Sequence, residues 1–105
     1  MKRLSERDDG GEIEVRVGES VELTLPETSG TGFRWDFASR AQPILKLEAD
    51  DYAHTAAGPG GNRMRRLRFT AVAAGEATLQ LNYARPWQKG AATRSFKLKL
   101  RAVAP

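Results

Sequence analysis

Between residues 12 and 102 apolar and polar side chains alternate in short runs, and that period of two restricts the fold more than any other feature of the chain. Alternation puts successive side chains on opposite faces of an extended strand, whereas an amphipathic helix repeats its apolar positions near every 3.6 residues. Ile13, Val15 and Val17 alternate with Glu14 and Arg16, and beyond a turn at Gly18 and Glu19, Val21, Leu23 and Leu25 alternate with Glu22 and Thr24. Phe33, Trp35 and Phe37 place three aromatics on one face, a stripe expected to fill a core. Leu45 and Leu47 suggest a short strand after Pro43, a residue tolerated at a strand start or edge. Residues 50–57 suggest only a weak strand. From residue 64 to 72 the apolar positions are Met64, Leu67, Phe69 and Ala71, and the interruption at Arg65 and Arg66 predicts a bulge. Ala77, Leu79, Leu81 and Tyr83 form one further strand pattern, and Phe96, Leu98, Leu100 and Ala102 another.

About seven to eight strands with no helical stretch predict an all-β protein, an immunoglobulin-like β-sandwich, with a small barrel as the alternative. At 105 residues the chain can bury one core without a metal or disulfide staple, so residues 12–105 are expected to form a single domain. Residues 1–11, of mixed charge and ending in Gly10-Gly11, are expected to be a frayed tail. No apolar stretch approaches the roughly 20 residues that span a bilayer. Residues 1–11 also lack the apolar middle of a secretory signal, which leaves a cytoplasmic protein or a mature secreted or periplasmic form.

Cysteine is absent, which excludes a disulfide framework, a thiol nucleophile and thiolate metal sites. The lone histidine, His54, has no spacing to a hydroxyl residue that would mark a nucleophile and base, so the chain is not expected to be an enzyme. Asp50, Asp51 and His54 offer oxygen and nitrogen ligands close together but lack the spacing of a closed metal site, and a solvated turn accounts for them. No cofactor is expected. The net charge of +4 owes much to Arg63, Arg65, Arg66 and Arg68, a cluster that raises nucleic acid as a partner, against the plainer reading of a solvated sheet face.

Three segments fall in the gaps of the alternating pattern: residues 28–33 (TSGTGF), 58–61 (GPGG) and 85–87 (RPW). On an all-β frame such loop tips are where recognition is expected. GPGG can be a simple turn, or Gly58, Gly60 and Gly61 can expose backbone for a partner strand while Pro59 limits the freedom lost on docking. Trp87, beside Arg85 and Pro86, can fold onto the core or stand out as an interface anchor.

Taken together and in this order, the three segments resemble the inhibitory loops of the chagasin family of cysteine peptidase inhibitors, whose pattern is N-P-T-T-G-aromatic followed by x-W, then G-x-G-G, then R-P-W. The resemblance runs from about Glu12 to Ala102 and includes Phe69-Thr70-Ala71 before Ala74-Gly75, and Leu79-x-Leu81-x-Tyr83. GPGG and RPW match fully, whereas Thr28, Ser29 and Gly30 stand where the family has Asn, Pro and Thr, and Thr31, Gly32 and Phe33 continue the pattern to Trp35. Gln88 stands where a glutamate often follows RPW.

The resemblance implies reversible, tight, noncovalent blockade of papain-like peptidases by a monomer. It implies that residues 28–33 cover the catalytic Cys-His dyad and that Gly58, Pro59, Gly60 and Gly61 pair with backbone of the nonprimed subsites. Arg85, Pro86 and Trp87 would pack on the primed side. A basic β-module binding nucleic acid or another protein, and an adhesive or structural module, are the competing readings.

Overall fold

Strands form where the alternation predicts them in the computed structural model, which describes residues 1–28, 33–53, 62–84 and 94–105. Among the described residues they are β1 (Lys2–Ser5), β2 (Glu12–Arg16), β3 (Ser20–Thr28), β4 (Arg34–Arg40), β5 (Leu45–Ala53), β6 (Asn62–Ala71), β7 (Gly75–Ala84) and β8 (Arg94–Val103), with one 3-10 turn over Glu6–Asp8. The all-β sandwich expected from the sequence is the fold observed. One sheet has the order β1-β3-β6-β5 and the other β2-β8-β7-β4. Pairing is antiparallel except where β1 runs parallel to β3 and β2 parallel to β8.

The inner faces meet in one apolar cluster to which every strand contributes. Val21, Leu23 and Leu25 of β3 and Leu67 and Phe69 of β6 face Leu79 and Leu81 of β7 and Phe96 and Leu98 of β8, all buried. At about 25 cal/mol per Å2 of apolar surface removed from water, these side chains dominate the stabilisation. Trp35 joins them, while Phe33 and Phe37 are half-buried and pack on the cluster's margin. Phe37 meets Phe69 edge to face, centroids 6.1 Å apart.

Two expectations are corrected. The bulge predicted at Arg65 and Arg66 is absent, since β6 keeps an unbroken register against β3 from Thr70 to Asn62. The register shifts instead in the edge strands, between Phe37 and Ser39 of β4 and between Leu47 and Ala49 of β5. Arg65 therefore shares the inward face of Leu67 and Phe69, and the sequence signal read as a kink is a charged residue in a core position.

The expected tail is built into the sandwich. Leu4 is buried, β1 pairs with β3, and Ser5 and Asp8 form a capping box around the 3-10 turn. Asp9 Oδ1 accepts from the Lys97 backbone N–H at 2.7 Å, the Gly10 N–H donates to the Lys97 carbonyl at 2.7 Å, and Arg94 bonds Glu6 at 2.6 Å. Residues 2–16 thus cross from one sheet to the other, strapping the sandwich along one side.

At the start of β7, Gly75 has φ +140°, and a Cβ there would lie 3.0 Å from Ile44 Cδ1. Both facts demand glycine. Gly75→Ala is expected to lower stability by about 1–3 kcal/mol, read as a shifted urea midpoint with an unchanged slope.

Candidate functional site

The strand register fixes where the three loop segments leave the frame. In the first sheet Thr28, the last residue of β3, pairs with Asn62, the first of β6, and Ala53, the last of β5, pairs with Met64. In the second sheet Arg34, the first residue of β4, pairs with Ala84, the last of β7, and Tyr83 pairs with Arg94, the first of β8. The chain passes from Thr28 to Phe33 through four residues. The Trp35 indole N–H donates to the Pro26 carbonyl at 2.9 Å, drawing the two sheets together at this point. The roots of all three segments therefore lie at one end of the sandwich.

Of the residues singled out from the sequence, Thr28 closes β3 and Phe33 sits immediately before β4. Ser29, Gly30, Thr31, Gly32, His54, Gly58, Pro59, Gly60, Gly61, Arg85, Pro86 and Trp87 lie outside the described residues. Phe33 stacks on Tyr83 with centroids 5.3 Å apart and planes at 23°, and Trp35 lies 5.0 Å from the same ring at 38°. Because Tyr83 is the penultimate residue of β7, this aromatic trio joins the root of the first segment to that of the third. Such ring pairs add about 0.5–1.5 kcal/mol beyond their burial.

Beneath the first and second segments lies a polar network. The side chain of Glu27, one residue before the end of β3, is only 1% exposed as a residue. Its carboxylate accepts from the Tyr52 hydroxyl at 2.8 Å, from Arg63 Nη2 at 2.9 Å and from the Trp35 backbone N–H at 3.4 Å. Arg65 is 8% exposed, and its Nη1 donates to the Trp35 carbonyl at 2.6 Å and lies 3.6 Å from Glu27 Oε2. Its Nε and Nη2 grip Asp50 in a bidentate pair at 2.8 and 2.7 Å. Arg63 also lies over the Tyr52 ring, 3.9 Å from its centroid.

Among the described residues β4 lies at the edge of its sheet, with no strand paired along one side of its backbone. At Trp35 the carboxylate of Glu27 and the guanidinium of Arg65, both from the opposite sheet, take the backbone N–H and C=O that a neighbouring strand would otherwise take. Two side chains thus stand in for a strand. An unmet backbone group at this depth would cost roughly 1–3 kcal/mol.

Sequence reading passed over Glu27 and the inward role of Arg65. The signal was present in the alternation itself, because Glu27 continues the face of Val21, Leu23 and Leu25, and Arg65 that of Leu67 and Phe69. Opposite charges at the same end of paired strands mark an ion pair built into a core.

The arginine cluster is paired throughout. Arg63 meets Glu27 at 2.9 Å, Arg65 meets Asp50 at 2.7 Å, Arg66 meets Asp51 at 2.9 Å and Arg68 meets Glu22 at 3.1 Å. The observation that raised nucleic acid is therefore explained by cross-strand pairing. Asp50 and Asp51 are committed to the same pairs, and among the described residues no group of three or more metal-ligating side chains occurs.

Burial alone would raise the pKa of Glu27, but the hydrogen bonds from Tyr52, Arg63 and the Trp35 N–H, with the nearby Arg65 charge, outweigh it and hold the carboxyl below its ordinary 4.5. Burial, then the bond to Glu27, pushes the Tyr52 hydroxyl up. A carboxyl depressed on folding contributes stability that is complete above its unfolded pKa and is lost as pH falls through the lower folded value. Glu27→Gln is expected to cost about 1–3 kcal/mol near neutrality, because it removes the charge that receives the Tyr52, Arg63 and Trp35 hydrogen bonds while Arg65 keeps Asp50. Below pH 4.5 the wild-type protein should lose stability more steeply than the variant, as measured by urea unfolding across the acid range.

Comparison with known proteins agrees with this architecture. The profile of the Chagasin family peptidase inhibitor I42 matches residues 14–100. Amoebiasin-1 of Entamoeba histolytica is 30% identical over 99 residues, covering 92% of this chain and 95% of its own. Chagasin of Trypanosoma cruzi is 29% identical over 90 residues, covering 81% and 82%. The crystal structure of a cysteine protease inhibitor from Entamoeba histolytica shares the fold with a TM-score of 0.89 at 21% identity, covering 97% of this chain and 95% of that one.

Proposed function

This chain belongs to the chagasin family of peptidase inhibitors, and from that membership we propose that it blocks papain-like cysteine peptidases reversibly and noncovalently, as a wedge of three loops. It is an inhibitor and not an enzyme. Residues 28–33 cover the catalytic dyad of the target, Gly58, Pro59, Gly60 and Gly61 pair with backbone of the nonprimed subsites, and Arg85, Pro86 and Trp87 pack on the primed side.

The observation that carries this reading is the meeting of the strand ends. Thr28 with Asn62 in one sheet and Arg34 with Ala84 in the other bring the roots of the three segments to one end. Loops anchored on such a frame lose less conformational freedom on binding than a free peptide does, and the difference becomes affinity. A standard interface of about 1,600 Å2 accommodates three adjacent loops. Nothing in this mechanism requires a bond to be cleaved, since occupancy of the cleft is sufficient.

Papain titrated with the protein is expected to lose activity reversibly, while a serine peptidase of unrelated fold keeps its own. Unchanged papain activity at micromolar inhibitor refutes the reading. Trp87→Ala should raise the inhibition constant about fivefold or more, the effect of losing an interface anchor worth at least about 1 kcal/mol. Simultaneous change of Thr31, Gly60 and Trp87 should abolish inhibition without altering the unfolding midpoint, the outcome that separates an inhibitor from an adhesive module of the same fold.

A further inference from the structure

We propose that Glu27 and Arg65 are positioning residues, which set the first loop segment against the second by holding the Trp35 backbone between them. The inference rests on the inhibitory reading above for its consequence in affinity, but on the geometry of the free protein for its substance. Glu27 immediately precedes the first segment, and Trp35 lies two residues after Phe33, its last residue. Tyr52 precedes the second segment and Arg63 follows it, and both bond Glu27 directly. One carboxylate is thus hydrogen-bonded to both sides of the second segment and to the strand that leaves the first.

Energetics favours positioning over stabilisation as the consequence of this arrangement. A buried ion network is often matched or exceeded in stability by apolar residues of similar volume, because desolvating the charges offsets most of their attraction. Apolar packing is non-directional, however, and slides at little cost. Hydrogen bonds to Glu27 and from Arg65 fix both polar groups of one residue at 3.4 and 2.6 Å. Asp50 orients Arg65 through two parallel bonds, so the guanidinium cannot rotate away from the Trp35 carbonyl without breaking both.

Among the described residues, the charged or titratable groups against Glu27 are Tyr52 on β5 and Arg63 and Arg65 on β6, with Asp50 on β5 behind Arg65. The bonds from Arg65 to Asp50 hold its guanidinium in the charged form. Protonation of Glu27 removes the charge to which Tyr52, Arg63 and the Trp35 N–H donate, so the hold on Trp35 should weaken as pH falls below the carboxyl's folded value.

Two variants test this, Glu27→Gln and the milder Tyr52→Phe, each studied in denaturant-free buffer where urea titration shows the protein folded. Backbone hydrogen exchange in the free proteins is the first readout. Faster exchange at residues 28–35 and 62–64 beyond the uniform rise set by each variant's lowered global stability, with β2 and β8 showing that uniform rise alone, supports positioning; exchange equal to wild type in both variants, or raised by the same factor everywhere, overturns it. Inhibition of papain is the second. Dissociation is expected to quicken about tenfold in Glu27→Gln and about threefold in Tyr52→Phe at similar association rates, and the gap between wild type and Glu27→Gln in exchange should close in acid. Wild-type inhibition with undiminished inhibition by both variants rejects the proposal alone. Absence of inhibition by the wild type rejects the functional reading instead, and the exchange measurement then decides positioning by itself.

Discussion

A single guanidinium crossing the space between two sheets holds the business end of this protein together. Arg65 rises from the centre of one sheet, is aimed by Asp50 beside it, and bonds the backbone of Trp35 in the other. Glu27 completes the hold from the same side. Apart from the N-terminal strap along one side, the sheets elsewhere meet by apolar contact, which is non-directional. At this end the joint is directional. The strand ends at the roots of the first two segments are thereby tied together, and the aromatic stack of Phe33, Tyr83 and Trp35 extends the tie to the root of the third.

The same economy explains how a basic chain presents little unpaired positive charge on β6. Of its four arginines, Arg63 and Arg65 face inward to carboxylates of the opposite strands, and Arg66 and Arg68 face outward to Asp51 and Glu22. The outward pairs are exposed and screened by solvent, so they add little to stability. Their effect is to make register specific, since a one-residue slip of β5 or β3 would bring like charges together or strand a charge in the core.

Most of the frame was legible in the sequence because half-buried strands carry their own label. Val21, Leu23 and Leu25, or Phe96, Leu98 and Leu100, could adopt no other structure and keep one face dry. Legibility failed where a charge occupied an inward position. Arg65 looked like an interruption, and a bulge was the conventional explanation, yet the register is regular and the partners of that charge come from β5 and β3, distant in sequence. It failed again at the N-terminus, where a single apolar residue, Leu4, and a short capping motif are too brief a pattern to signal a strand whose order comes from its neighbour β3. The three segments proposed for recognition were readable as motifs because their glycines, prolines and tryptophan are rare in strands. Their common origin at one end followed only from strand pairing, which no local pattern encodes.

Strand direction carries one last consequence. β1 enters beside the start of β3, with Lys2 opposite Val21, and β8 leaves at Val103 opposite Arg16, so both ends of the described chain sit at the pole away from the loops. Cargo fused to either terminus, or immobilisation of the molecule on a bead or a cell wall by either terminus, leaves the end from which the three segments spring pointing outward. Two such units joined head to tail by a short linker would likewise keep those ends clear of the joint, a geometry suited to capture reagents.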